Sequence, residues 1–77
     1  MAAPGRRERT KAANRAAILA AGRERFAARG YDAVGVRDIV RGTELASGTF
    51  YNYFPDKEAV FLAIVAWIFR TGYRLKT

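Results

Sequence analysis

The sequence predicts an all-α fold of four helices. Apolar residues recur three and four positions apart along the first half of the chain, which is the spacing of one helix face. Glycine at position 30 and proline at position 55 separate the helical segments, and no strand is predicted. Seventy-seven residues, 51% of them hydrophobic, can form one small domain with a core of marginal size.

Positive charge is concentrated at the two ends of the chain. The formal net charge is +7, and residues 1–15 hold five basic side chains against one acidic side chain. Residues 16–69 are balanced, and the remaining basic side chains follow from residue 70 onward. Residues 1–11 contain Pro4 and Gly5 and have no apolar period, so they are expected to form a flexible basic arm that orders only on a partner.

The first helix is predicted over residues 12–29. Ile18, Gly22 and Phe26 lie four positions apart and give this helix an apolar face. Gly30 is expected to end the helix in the left-handed region, followed by a short loop.

The second and third helices are predicted over residues 36–43 and 47–54. Gly35 is a modest N-cap for the second helix, and Asp38 in its first turn complements the helix dipole. A break near Glu44 separates the two helices. Pro55 disfavours helical geometry at the residue before it and so ends the third helix.

The fourth helix is predicted to begin at Lys57, with Asp56 as its cap. Residues 59–69 form an unbroken run of eleven apolar residues. This run is shorter than the roughly 18 residues that a membrane span needs. One side can pack on the first three helices, so the other side is expected to need a partner layer, either the rest of a longer protein or a second subunit. The alternative is a fourth helix lying on a membrane interface.

Composition narrows the possible chemistry. The chain has neither cysteine nor histidine, which removes disulfides, thiolate metal sites and the commonest general base. We therefore expect no enzyme activity, no metal site and no cofactor. The alanine-rich run before Arg23 is interrupted by charged residues too soon to be the apolar core of a secretory signal. A mitochondrial presequence is an alternative. A cytoplasmic location is expected.

The predicted third helix has two different sides. Phe50 and Phe54 lie on one face as core anchors, while Gly48 points the opposite way, where a missing side chain allows close approach of another backbone. Small or polar side chains occupy the flanks: Ser47, Thr49, Tyr51 and Tyr53. Two short helices with this division describe a helix-turn-helix, whose second helix enters the DNA major groove.

Some of these side chains have a second interpretation. Tyr51 and Tyr53 could belong to an aromatic core cluster, or they could pack their rings and donate their hydroxyls to phosphates. Ser47 could be a helix-start residue that contacts no ligand.

Four segments together resemble the N-terminal signature of the tetracycline repressor (TetR) family. They read FAARGY at residues 26–31, VRDI at 36–39, SGTFYNYF at 47–54 and DKEAVF at 56–61. The resemblance implies a three-helix DNA-binding domain over residues 12–56 and a linking fourth helix over 57–77. It also implies a larger helical domain, absent here, that binds a small-molecule inducer and forms a homodimer.

The resemblance further implies a set of residues that contact double-stranded DNA: Arg37, Ser47, Gly48, Thr49, Tyr51, Tyr53 and Lys57. Arg37 would reach a base or a phosphate, and Lys57 a phosphate. Residues 46–54 carry no formal charge, so affinity is expected to depend on those two side chains, helix N-terminal amides and the basic arm. Arms of this kind can also enter the minor groove.

Two positions depart from the family pattern. Glu44 stands where the turn usually has glycine, so a left-handed geometry there would cost on the order of 1 kcal/mol. Ala46 replaces the usual capping serine or threonine, a loss of about 0.5–2 kcal/mol that Thr43 and Ser47 could partly offset.

The sequence thus predicts a repressor that binds a palindromic operator as a dimer and is released by an inducer. The competing hypothesis is a non-specific nucleic-acid-binding or membrane-surface peptide whose charged ends make all the contacts.

Overall fold

The computed structural model describes residues 5–76, with the backbone alone for Arg6 and for residues 71–76. It contains four α-helices and a single 3₁₀ turn at Tyr31–Ala33. The helices are α1 (Arg6–Arg29), α2 (Val36–Arg41), α3 (Ser47–Phe50) and α4 (Lys57–Lys76). No strand occurs in this part of the chain, and the predicted all-α class is confirmed.

Helix α1 begins earlier than the sequence predicted. It starts at Arg6, so the expectation of a flexible arm is wrong for residues 6–11, while residues 1–4 of that arm lie outside the described residues. Gly5 is the N-cap with an extended backbone, and Glu8 lies in the first turn, where it complements the helix dipole. Arginine and lysine are strong helix formers, so a helix that the core has already nucleated extends through them without core contacts.

Gly30 ends α1 in an unexpected geometry. Its φ of 87° is positive, but its ψ of 153° lies outside the left-handed helical region that the sequence predicted. This part of φ/ψ space is essentially restricted to glycine. The Gly30 N–H donates to the Phe26 carbonyl at 2.8 Å, and the chain continues into the 3₁₀ turn rather than a loop.

The core lies where α1 crosses the other helices. Its buried residues come from all four α-helices and from the segments that connect them: Ile18, Ala21, Val34, Ile39, Phe50, Phe54, Val60 and Ile64. Helix α1 lies close to α4 at Gly22, where an added Cβ would be 2.8 Å from Val60 Cγ1. Removing apolar surface from water is the main force that holds such a small domain together.

The start of α4 is fixed by a cap and by aromatic packing. The Ala59 N–H donates to Asp56 Oδ1 at 2.9 Å, which confirms the predicted cap. Phe61 packs on Phe26 and Tyr31 with ring centroids 5.7 and 5.1 Å apart. Further along α4, four large apolar side chains are exposed: Leu62, Trp67, Ile68 and Phe69.

Candidate nucleic-acid interface

Thr43 shapes the turn between α2 and α3. Its hydroxyl donates to the Val40 carbonyl at 2.8 Å and accepts from the Leu45 N–H at 3.1 Å. Among the described residues only glycine has a positive φ, so the expected left-handed geometry at Glu44 is wrong. Thr43 closes the turn through its side chain, and Glu44 keeps an ordinary backbone. Ala46 is the N-cap of α3 without a side-chain hydrogen bond, as its side chain requires.

Helix α3 is held from beneath by Phe50. This side chain is fully buried, and Phe54 packs beside it with a ring-centroid distance of 6.1 Å. The α-helix ends at Phe50, earlier than the predicted residue 54, and residues 51–53 form a turn. Pro55 disfavours helical geometry at Phe54, so the helix cannot continue through this residue. We call residues 47–54 the recognition segment.

The outer side of the recognition segment is small and uncharged. Ser47 and Gly48 are exposed, Thr49 is half-buried, and Tyr51 is 55% exposed. No atom lies within 4 Å of a Cβ added at Gly48, and its φ is not positive. Neither packing nor backbone geometry within this chain therefore requires a glycine at position 48.

Tyr53 lies at the edge between the recognition segment and α1. Its ring is half-buried against the core, and its hydroxyl accepts a hydrogen bond from Asn14 Nδ2 at 3.2 Å. The packed ring agrees with the interpretation of Tyr53 as a core residue. Its hydroxyl still has its own hydrogen, which it can donate to another acceptor such as a phosphate. A DNA contact by Tyr53 stays a prediction.

Arg37 lies exposed in the first turn of α2, beside a carboxylate that is already engaged. Asp38 Oδ2 accepts from the Gly35 N–H at 2.9 Å, and Oδ1 lies 3.6 Å from Arg29 Nη1. The Gly35 hydrogen bond, assisted by the Arg29 charge, holds the pKa of Asp38 below its ordinary value. The Gly35 N–H is therefore not free for a phosphate.

Lys57 is engaged within the chain. Its Nζ donates to the Tyr31 and Val34 carbonyls at 2.8 Å each and lies 4.2 Å from the centroid of the Tyr31 ring. An ammonium has three hydrogens, so one remains for a phosphate. The sequence predicted the phosphate contact, which stays a prediction, and missed the two carbonyls.

Two residues of α1 also belong to this region and were missed by the sequence analysis. Asn14 orients the Tyr53 hydroxyl, and the Arg15 guanidinium lies 5.2 Å from the centroid of the Phe54 ring. The available signal was their position four and three residues before Ile18, which places them on the same helix face as that core residue.

Metal binding and membrane spanning were both considered for the part of the chain that the structure describes. Residues 5–76 contain no group of three acidic, cysteine or histidine residues that could hold a metal ion. None of the described helices has the length and hydropathy to span a membrane.

Comparison with known proteins identifies the family. A family model described as "Bacterial regulatory proteins, tetR family" matches residues 18–64. The regulator EthR of Mycolicibacterium smegmatis is 38% identical over 65% of this chain and 23% of its own length. AcuR of Cereibacter sphaeroides is 35% identical over 62% of this chain and 22% of its own length, and YuxN of Bacillus subtilis is 36% identical over 57% and 15%.

This chain spans less than a quarter of the length of these three regulators, and no solved structure matches it. The family match covers α2, α3 and the turn between them, together with residues 18–29 of α1 and residues 57–64 of α4. The chain therefore belongs to the tetR family of bacterial regulatory proteins and is the helix-turn-helix, DNA-binding part of such a transcriptional regulator.

Proposed function

We propose that this chain reads one half of a palindromic operator for a transcriptional repressor that acts as a dimer. The observation that carries the proposal is the uncharged outer side of the recognition segment, open at Gly48 and fixed from beneath by the buried Phe50. A rigid helix with small polar side chains suits direct contact with base edges in the major groove.

The seven predicted residues have distinct roles in this proposal. Ser47 and Thr49 supply hydroxyls to base edges, and Gly48 allows the α3 backbone to approach the duplex. The hydroxyls of Tyr51 and Tyr53 donate to phosphates. Two cationic side chains add contacts on either side of the segment. Arg37 binds a base or a phosphate, and Lys57 donates its remaining hydrogen to a phosphate.

Dimerisation and release by an inducer belong to the rest of the proposed mechanism. The exposed apolar side of α4 supports them, because a surface of this kind needs an apolar partner such as a ligand-binding and dimerisation domain. In this proposal an inducer bound in that domain changes the spacing of the two recognition segments on the operator. The mechanism includes no catalytic step, no cofactor and no metal, and it operates in the cytoplasm.

The test is selection from a pool of random duplex DNA at physiological salt, followed by sequencing of the enriched fraction. We expect a recurrent half-site, or two inverted half-sites about one helical turn apart. The double variant Ser47→Ala/Thr49→Ala should lose about 1–3 kcal/mol of affinity for each base contact removed. The matched control is Thr10→Ala, which removes an exposed hydroxyl outside the recognition segment.

The competing function, charge-driven binding without sequence preference, makes the opposite prediction. Binding that enriches no sequence and weakens steeply with salt would contradict the repressor proposal. Equal affinities for the double variant and the control would contradict the assignment of Ser47 and Thr49.

A further inference from the structure

Helix α1 carries a stripe of basic side chains on its first half. Arg7, Lys11 and Arg15 follow one another at intervals of four residues, which places them on one face of a helix. At 1.5 Å per residue the stripe is about 12 Å long. We call these three residues the α1 stripe.

The α1 stripe lies on the face that meets the recognition segment. Arg15 packs over the Phe54 ring, and the neighbouring Asn14 donates to the Tyr53 hydroxyl. The next residue on this face, Ile18, is buried in the core. Towards the N-terminus residues 7–13 are all exposed, so α1 extends past the core and carries its basic face beyond the Tyr53 edge of the recognition segment.

No ion pair engages the α1 stripe in the part of the chain whose side chains the structure describes. In residues 5–70, where side chains are described apart from that of Arg6, the ion pairs are Arg25 with Glu24 and Arg29 with Asp38. Both pairs lie outside the stripe. Residues 46–54, in contrast, hold no charged side chain. The charge that the uncharged recognition segment lacks is therefore available immediately beside it.

We infer that Arg7 and Lys11 bind phosphates of the duplex flanking the half-site, as a preformed extension of the DNA-binding surface. The inference rests on the proposed function, because it locates the stripe relative to the half-site. A helix that is already ordered binds without the ordering cost of a flexible arm, and it fixes the direction in which the flank must run. The occupant is duplex DNA because the stripe is continuous with the recognition segment and opposite in charge to phosphate.

The test compares two double variants of the 77-residue chain. The stripe variant is Arg7→Gln/Lys11→Gln, which leaves Arg15 on Phe54. The control is Arg23→Gln/Arg70→Gln, which removes the same charge from exposed positions elsewhere on α1 and α4. Circular dichroism checks that both variants fold. Dissociation constants are measured across a range of salt concentrations on a random-sequence duplex and on the sequence enriched in the selection.

We expect the stripe variant to reduce the slope of log affinity against log salt by about 1.8, or about 60-fold in affinity at 0.1 M salt. The control should retain the wild-type slope. Trimming the selected duplex to the edge of the half-site should weaken the wild type and leave the stripe variant nearly unchanged.

Each failure has its own signature. If a sequence is enriched but the stripe variant and the control have equal slopes, the inference is overturned while the proposed function stands. If no sequence is enriched but the stripe variant alone loses slope on the random duplex, the repressor proposal fails while phosphate binding by the stripe stands. If the stripe variant loses binding to vesicles containing phosphatidylserine and none to DNA, the partner is a membrane and the inference is wrong.

Discussion

Two helical glycines lie in opposite surroundings. At Gly22 in α1, an added Cβ would meet Val60 Cγ1 at 2.8 Å and Ile64 Cδ1 at 3.4 Å. At Gly48 in α3, an added Cβ would meet nothing within 4 Å. Packing among the described residues explains the first glycine and not the second, and in the proposed function Gly48 allows the close approach of DNA. The proposed function thus gives the two glycines different roles.

The strongest test of this contrast compares neighbouring aromatic residues. Phe50→Ala should destabilise the domain by about 3–5 kcal/mol, because it removes a fully buried ring from the core. Tyr51→Ala, at a position 55% exposed, should change stability much less and weaken DNA binding instead. Urea unfolding gives the first quantity and a DNA titration the second. Equal losses of stability would show that the recognition segment is not divided into two sides.

Gly22→Ala sharpens the same contrast at the interface of α1 and α4. Alanine is the better helix former, but its methyl group would push against Val60, and overpacking of this kind costs about 1–3 kcal/mol. Urea unfolding should therefore show a lower free energy of unfolding. A gain in stability would mean that α4 shifts to make room and that Gly22 is not a packing requirement.

Lys57→Met tests whether Lys57 stabilises the fold, binds DNA, or does both. The Tyr31 and Val34 carbonyls would lose their donor, and we expect a loss of stability of about 1–3 kcal/mol. If the third hydrogen also binds a phosphate, the slope of log affinity against log salt should fall by about 0.9. Unchanged stability would contradict the role of Lys57 in joining α4 to the 3₁₀ turn.

The smallest expected effect concerns Asp38 and acid. Its pKa is lowered in the folded protein from an ordinary value of 3.8, so its stabilising contribution is complete above that value and is lost as the pH falls through the folded pKa. Asp38→Asn should lower stability at neutral pH and make the decline as the pH falls below 3.8 shallower. The control is Glu44→Gln, an exposed acid in the turn. An unaltered pH profile for Asp38→Asn would contradict this account.

Elements with a periodic apolar face could be predicted from the sequence. The four-residue spacing of Ile18, Gly22 and Phe26 correctly gave the core face of α1, and Pro55 and Asp56 correctly gave the start of α4. The ends of the helices were less accurate. Helix α1 extends to Arg6 through residues that make no core contact. Helix α3 ends at Phe50, whereas the sequence predicted a helix to residue 54.

Contacts between distant residues could not be predicted. The Asn14 amide and the Tyr53 hydroxyl are 39 positions apart, and Lys57 is 26 positions from Tyr31. Periodicity orients each helix about its own axis but does not fix how helices cross, so the partners of a polar side chain depend on tertiary packing. The sequence also suggested that Glu44 would bear the cost of a left-handed backbone. It does not, because hydrogen bonds of the Thr43 side chain close the turn.

Gly48→Ala shows whether position 48 is a glycine because the DNA comes close to it. The variant's free energy of unfolding should be unchanged or higher by up to about 1 kcal/mol, since alanine favours the helix. Its affinity for the selected duplex should fall at least about tenfold, because the methyl group would stand between α3 and the bases. A variant that binds the selected duplex as tightly as the wild type would contradict the account.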